Sequence, residues 1–127
     1  MSFAPPTKLL IVDDDPRMRQ VIKEILGDMK CEILEGSHGE EAIHIASEQH
    51  PDCVIMDIEM PVMDGLTATR SIRQDDADIR VLILSKHDSP QFRQAAYRAG
   101  ASGYVLKDNL SELREFIERP PSRSSTS

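Results

Sequence analysis

A chain of 127 residues, 39% of them hydrophobic, is sized for one domain around one core. Its net charge of −7, from 22 acidic against 15 basic side chains, argues against nonspecific nucleic-acid binding, which needs Lys and Arg set against phosphates. Neither zinc-finger spacing nor an RNA-binding aromatic motif is present, and no apolar run approaches membrane length. The opening "MSFAPPTKLLIV" sets Pro-Pro ahead of its apolar run and makes a poor signal peptide. Cys31 and Cys53 both fall in apparent buried strands, where a thiol behaves as a small hydrophobe. The expectation is a cytoplasmic protein with no disulfide and no membrane partner.

The first strand is "KLLIV", residues 8–12. Asp15-Pro16 then supplies a helix N-cap and a Pro at the first helical position. Met18, Val21, Ile22, Ile25, Leu26 and Met29 follow at spacings of three and four, so one apolar face is expected. "CEIL" (31–34) is the second strand, and a helix over 40–49 turns Ala42, Ile45 and Ala46 inward. "CVIM" (53–56) is the third strand, followed by a helix over 66–73 that carries Leu66, Thr69 and Ile72 or Arg73 on one side. "VLIL" (81–84) is the fourth. The next helix, 90–99, has Phe92, Ala95, Ala96 and Ala99 inward and Gly100 as its C-cap. "GYVL" (103–106) is the fifth strand, and a last helix over 110–118 is stopped by Pro120-Pro121.

Strict alternation of strand and helix predicts an α/β fold, a parallel sheet with helices on both faces. Ligands in such open sheets bind at the carboxyl ends of the strands. Here those ends carry Asp13-Asp14-Asp15, Asp57, Ser85 and Lys107. The run "CVIM" leading straight into Asp57 matters most, because a carboxylate at the end of a buried strand is costly without a partner. If the first and third strands are neighbours, their end groups lie about 5 Å apart. Asp13, Asp14 and Asp57 would then repel, and a divalent cation would resolve the conflict. Hard oxygen ligands select magnesium or calcium, and a shallow site that keeps its waters suits magnesium. Taken singly, each group has a structural reading: an N-cap, a strand end, a loop hydroxyl, a solvated Lys. Four separate coincidences would be needed to explain them together.

The stretches "LLIVDDD", "VIMDIEMPVMDG", "VLILS" and "AGASGYVLKD" resemble the receiver domain of two-component response regulators over residues 7–118. The likeness implies a five-stranded doubly wound, flavodoxin-like sheet in the order 2-1-3-4-5 with five helices. It makes Asp57 the phosphoacceptor for a phosphoryl group carried on the histidine of a sensor kinase or phosphotransfer protein. It implies Mg2+ held by Asp14, Asp57 and the backbone carbonyl of Glu59, with Asp13 acting through water. Lys107 and Ser85 would contact phosphoryl oxygens. Tyr104 would be an aromatic switch whose ring enters the space behind Ser85 on activation. The implied product is an acyl phosphate lost slowly to water, so the domain stores a signal rather than turning over substrate. An output domain or partner protein would read it on the face formed by the fourth helix, fifth strand and fifth helix.

Lys107-Asp108 stands where family members often have Lys-Pro, and "SKHD" at 85–88 with "SGYVLKD" looks more like receivers joined to LuxR-type helix-turn-helix output domains. The expectation is a lone or an excised receiver, with residues 1–6 as an N-terminal tail and 119–127 as a disordered tail or linker remnant. Lys86 occupies a position usually small in the family, and with Glu59 and His87 it is expected to rim the pocket. Lys86 lying across the phosphoryl group to hinder the approach of water, Lys86 pairing with Glu59, and His87 orienting a water are all open. Three rivals remain: a haloacid-dehalogenase-type phosphatase, a degenerate receiver and a flavodoxin-like cofactor binder. The phosphatases place their nucleophile on the first strand, a degenerate receiver would lack one of the five groups, and a flavin has little to hold it at 4% aromatics.

Overall fold

Each of the five apolar runs is a strand in the computed structural model, which describes residues 8–27, 29–60 and 63–118. The strands are β1 (Lys8–Val12), β2 (Glu32–Gly36), β3 (Cys53–Asp57), β4 (Arg80–Ser85) and β5 (Gly103–Leu106). All neighbours pair in parallel, in the order β2-β1-β3-β4-β5. The helices are α1 (Pro16–Ile25), α2 (Gly39–Gln49), α3 (Gly65–Asp75), α4 (Pro90–Ala99) and α5 (Glu112–Glu118). This is the flavodoxin-like, doubly wound arrangement that the resemblance implies, and the strand order reverses between β1 and β3, where such folds open a crevice.

The unbroken apolar strands are explained by cores on both faces of the sheet. Leu10, Val12, Val54, Met56, Val81 and Ile83 point to one face, where Ala42, Ala46, Ala68, Ile72 and Ala96 of α2, α3 and α4 cover them. Leu9, Ile11, Ile55, Leu82 and Leu84 point to the other, under Ile22 of α1 and Leu113 and Ile117 of α5. Each fully buried Leu or Ile contributes about 1.5–3 kcal/mol of transfer free energy. The cap signals are also realised. Asp15 Oδ1 accepts from Arg17 N–H at 2.9 Å ahead of Pro16, and Ser89 Oγ from Phe92 N–H at 3.2 Å ahead of Pro90. Gly100 ends α4 with φ of 108°, a left-handed conformation that favours glycine.

Several details differ from the sequence expectation. The second strand lies at 32–36 rather than 31–34, leaving Cys31 half-buried ahead of it. It pairs only with β1, so register against Lys8–Val12 fixes it, and it extends until the Gly36 carbonyl accepts the Asp13 N–H at 3.1 Å. The first helix stops at Ile25, with Leu26 as its C-cap. Val21 and Phe92, both expected inward, are exposed at 41% and 37%. An apolar residue at helical spacing can stand at the border of the stripe. The third helix is longer at both ends, and the last starts at Glu112, after a 3-10 turn over Lys107–Asn109. The expected tails, 1–6 and 119–127, lie outside the described residues. Among those described, both cysteines are free, and no helix is long and apolar enough to cross a membrane.

Candidate functional site

Pairing of Val12 with Met56 sets the next residues of β1 and β3, Asp13 and Asp57, side by side. Asp57 itself pairs with Leu84, and Ser85 with Leu106, so Ser85 and Lys107 complete the same row of strand ends. The start of α3 closes tightly back on the end of β3. The Gly65 N–H donates to the Ile58 carbonyl at 3.1 Å, and a Cβ at Gly65 would lie 2.1 Å from the Asp57 carbonyl oxygen. Glycine is therefore required there, and Asp64 before it caps α3 through Thr67 N–H at 2.8 Å.

The floor is buried and charged. Asp13 and Asp57 are each 1% exposed, and carboxylate oxygens of Asp13, Asp14 and Asp57 lie within 4.8 Å of one another. Lys107 Nζ stands 3.0 Å from Asp57 Oδ1 and 3.5 Å from Asp13 Oδ2. Asp57 Oδ1 also accepts the Glu59 N–H at 3.1 Å, and Asp13 Oδ1 the Asp15 N–H at 2.9 Å. Burial holds the pKa of both Asp13 and Asp57 above the ordinary carboxylate value. The charge of Asp13 adds to the effect on Asp57, and Lys107 offsets part of it. Burial works against the Lys107 ammonium, but its contacts with Asp57 and Asp13 outweigh that and leave its pKa raised.

This floor fits a hard cation. Three carboxylates converge, one Lys does not neutralise them, and Asp13 Oδ2 is buried with no hydrogen-bond partner, only the longer ion contact to Lys107. Above it opens a cleft of about 390 Å³ lined by Asp13, Asp14, Asp15, Met18, Asp57, Glu59, Lys86 and Lys107. Asp15 was expected at this strand end but not as a site residue, and Met18 was expected only on the apolar face of the first helix. The Asp15-Pro16 cap that starts α1 was the available signal, since it turns the next helical residues over the strand end.

At the rim one of the open pairings is excluded. Glu59 pairs with His87, Oε2 to Nε2, and not with Lys86. The imidazole is also held by Phe92, on which it stacks with centroids 4.3 Å apart and rings 9° from parallel. Lys86 lines the cleft and is exposed. Ser85 is fully buried, and its Oγ accepts the His87 N–H at 2.9 Å. Tyr104 is already inside rather than awaiting entry, with its hydroxyl donating to the His87 carbonyl at 2.7 Å and the Arg93 guanidinium 4.7 Å over its ring.

An acid pair after β1, an acid at the end of β3, a hydroxyl at the end of β4 and an amine after β5 define a receiver. The model of the response regulator receiver domain matches residues 9–118, and the chain belongs to that family. It is 40% identical over 101 residues to the chemotaxis protein CheY of Bacillus subtilis, covering 79% of this chain and 84% of that protein. It is 37% identical over 103 residues to the transcriptional regulatory protein DegU of Brevibacillus brevis, covering 80% of this chain and 44% of that one. The chain spans about half the length of the regulators of that kind that it matches. Among solved structures, a LuxR-family two-component response regulator from Aurantimonas sp. superposes with a TM-score of 0.84 at 35% identity, covering 91% of this chain and 84% of that one. The chemotaxis protein CheY4 of Vibrio cholerae gives 0.81 at 30%, covering 89% and 97%. This is a receiver domain of the two-component type, a signalling domain rather than a classical enzyme. Such domains partner with sensor kinases and output domains, and typically bind magnesium in an acidic pocket.

Proposed function

We propose that this chain accepts a phosphoryl group on Asp57 from a phosphohistidine and switches an output surface. The observation that carries the reading is the Lys107 ammonium 3.0 Å from the carboxylate of Asp57, on a buried floor shared with Asp13 and Asp14. An Asp57 carboxylate oxygen attacks phosphorus, the P–O bond forms, and the P–N bond breaks with its electron pair leaving on the imidazole of the donor. Asp57 is a weak nucleophile, so alignment and charge neutralisation do most of the work. Lys107 holds one phosphoryl oxygen and the Ser85 hydroxyl donates to another. Asp14, Asp57 and the Glu59 carbonyl would hold magnesium directly and Asp13 through water; the ion supplies positive charge where phosphoryl oxygens arrive. The acyl phosphate then reacts slowly with water, which times the signal.

The added charge of about −1.5 to −2 draws Ser85 and Lys107 towards the phosphoryl group. Both lie next to the region that ends in Tyr104, whose hydroxyl rests on His87. The output face is α4–β5–α5, where Tyr97 is half exposed beside Arg98. The change is a population shift between two arrangements of the β4–α4 loop.

The test is intact mass after incubation with magnesium and a small phosphodonor. Wild type gains one phosphoryl group and Asp57→Asn none. Equal labelling in excess chelator, or an adduct on Asp57→Asn, rejects the assignment. Amide shifts should change in residues 90–118 on activation, and changes confined to the surroundings of Asp57 would remove the output face.

A further inference from the structure

The acid loop after β1 is gripped from two sides, and one grip is a side chain with no part in phosphoryl transfer. Beyond Val12 the Asp13 N–H still finds β2, through the Gly36 carbonyl at 3.1 Å. The Asp13 carbonyl is met instead by Arg19 of α1, whose Nη1 donates to it at 2.6 Å. The same guanidinium donates through Nε to Glu35 Oε1 at 2.8 Å. Glu35 is the penultimate residue of β2 and also takes Lys23 Nζ at 2.8 Å on its other oxygen. Its pKa lies below the ordinary value, through the hydrogen bonds from Lys23 and Arg19. The strand end is tied down in turn, since Ser37 donates both its N–H and its hydroxyl to Glu41 Oε1, at 2.7 and 3.0 Å.

We infer that Arg19, braced by Glu35, is a positioning residue that sets the Asp13–Asp14 acids for a divalent cation. The reason is mechanical. Asp13, Asp14 and Asp57 crowd within 4.8 Å, and the acid loop has an electrostatic incentive to splay away from β3. Main-chain bonds at both Asp13 N–H and Asp13 C=O oppose that. A planar fork meets the carbonyl with one nitrogen and the carboxylate with another in a fixed geometry, whereas an ammonium would have to reach both from a single nitrogen. Arg19 is 17% exposed, so the bond is shielded from competing water. Partners standing behind metal ligands contribute through orientation in this way.

This rests on the magnesium reading above, and the experiment separates the two. Magnesium is titrated into the full chain while the Asp13–Asp15 amide resonances are followed, for wild type, Arg19→Lys, Arg19→Ala, Glu35→Ala and Lys23→Ala, each checked for a folded spectrum. Arg19→Lys and Arg19→Ala should weaken magnesium about five- to tenfold, at or below the low end for such outer partners. Glu35→Ala should weaken it several-fold. Lys23→Ala, which loses only its Glu35 contact, should match wild type. At saturating magnesium the Asp57 labelling rate of Arg19→Lys should return to within about twofold of wild type, because the residue acts on affinity and not on the transfer itself. Arg19→Lys with wild-type affinity would overturn the inference, since the charge alone would then suffice. Lys23→Ala weakening as much as Arg19→Lys would overturn it too, in favour of the general field of α1. If wild type itself shows no magnesium-dependent shifts at these amides, the magnesium reading fails instead.

Discussion

The floor and the rim of the cleft are built by opposite means. The floor groups, Asp13, Asp57 and Ser85, are essentially inaccessible to solvent, sit on strand ends and are fixed by backbone pairing. The rim groups, Glu59, Lys86 and His87, stand on loops, and the one ion pair among them is about two-fifths exposed on each side. On the floor, low dielectric makes every charge expensive and every partner consequential. At the rim, solvent screens the pair, and such pairs are worth about 0–1 kcal/mol. Chemistry that must not fail therefore belongs to the floor, and adjustable rates to the rim.

The largest test of this division is on the floor. Asp57→Asn should abolish phosphoryl labelling by intact mass, and Lys107→Ala should lower the labelling rate by orders of magnitude with the fold kept. A rim variant with an equal loss would break the comparison. Next in size is the backbone beneath the floor. Gly65→Ala drives a methyl into the Asp57 carbonyl, 2.1 Å away, and neither backbone can yield cheaply. A loss of about 2–3 kcal/mol is expected in denaturant unfolding, with labelling slowed in whatever fraction stays folded. A stability within error of wild type would mean that the loop is looser than its contacts imply.

A smaller effect should be visible in pH dependence. Asp13 and Asp57 have raised pKa values when folded, so the folded state binds their protons more tightly than the unfolded state does. For these two groups stability is then greatest at low pH and is lost as pH rises from the ordinary value of 3.8 through the raised values. Asp15, Glu35 and Glu41 have lowered values and act in the opposite sense, losing their contribution as pH falls. The difference between Asp57→Asn and wild type isolates the floor. In chelator, the variant's melting temperature should gain on wild type as pH rises from about 3.8 to neutrality. Magnesium should shrink the gap by stabilising wild type. A gap that does not change with pH would mean that Lys107 already compensates the acids fully.

The same contrast explains what the sequence disclosed. Both cores and the row of strand-end groups were legible, because an apolar run that stops at Asp57 or Ser85 leaves those side chains few places to go; the strand order came only through the resemblance to receiver domains. Asp13, Asp14 and Asp57 were expected to crowd, and they do. The failures lie where several partners compete at similar energy. Lys86 and His87 are adjacent, and residue type alone left the partner of Glu59 open. His87 takes Glu59 while stacked on Phe92, a contact that depends on Phe92 pointing outward, against its helical periodicity. Arg19 was invisible for a related reason: its partner is a main-chain carbonyl, which leaves no mark in residue type.

At the rim itself, Glu59→Ala and His87→Ala should each shift stability by no more than about 1 kcal/mol. Both should change the lifetime of the phosphorylated form by a similar factor, since either substitution opens the same pair. Unequal lifetimes, with the double variant additive, would show that the two act separately.

The smallest expected effect belongs to Lys86. It lines the cleft with Asp57 and Lys107 yet is not the partner of Glu59, so it has no ion pair there to close the mouth. What remains open to it is to lie over the phosphoryl group and hinder the in-line approach of water. An exposed ammonium is well hydrated and samples many rotamers, so only part of its population can occupy that position. A barrier change of about 1.4 kcal/mol would be tenfold in rate, and a partly occupied, solvent-screened contact should give less. Lys86→Ala should therefore speed labelling by small phosphodonors and shorten the phosphoryl lifetime by a few fold each. Glu59→Ala is the informative companion. If Lys86 acts alone over the cleft, its effect should persist in the Glu59→Ala background. If the effect vanishes there, Lys86 works by competing with His87 for Glu59. If neither rate moves in Lys86→Ala while fold and magnesium affinity are intact, the rim's control of the lifetime rests with Glu59 and His87.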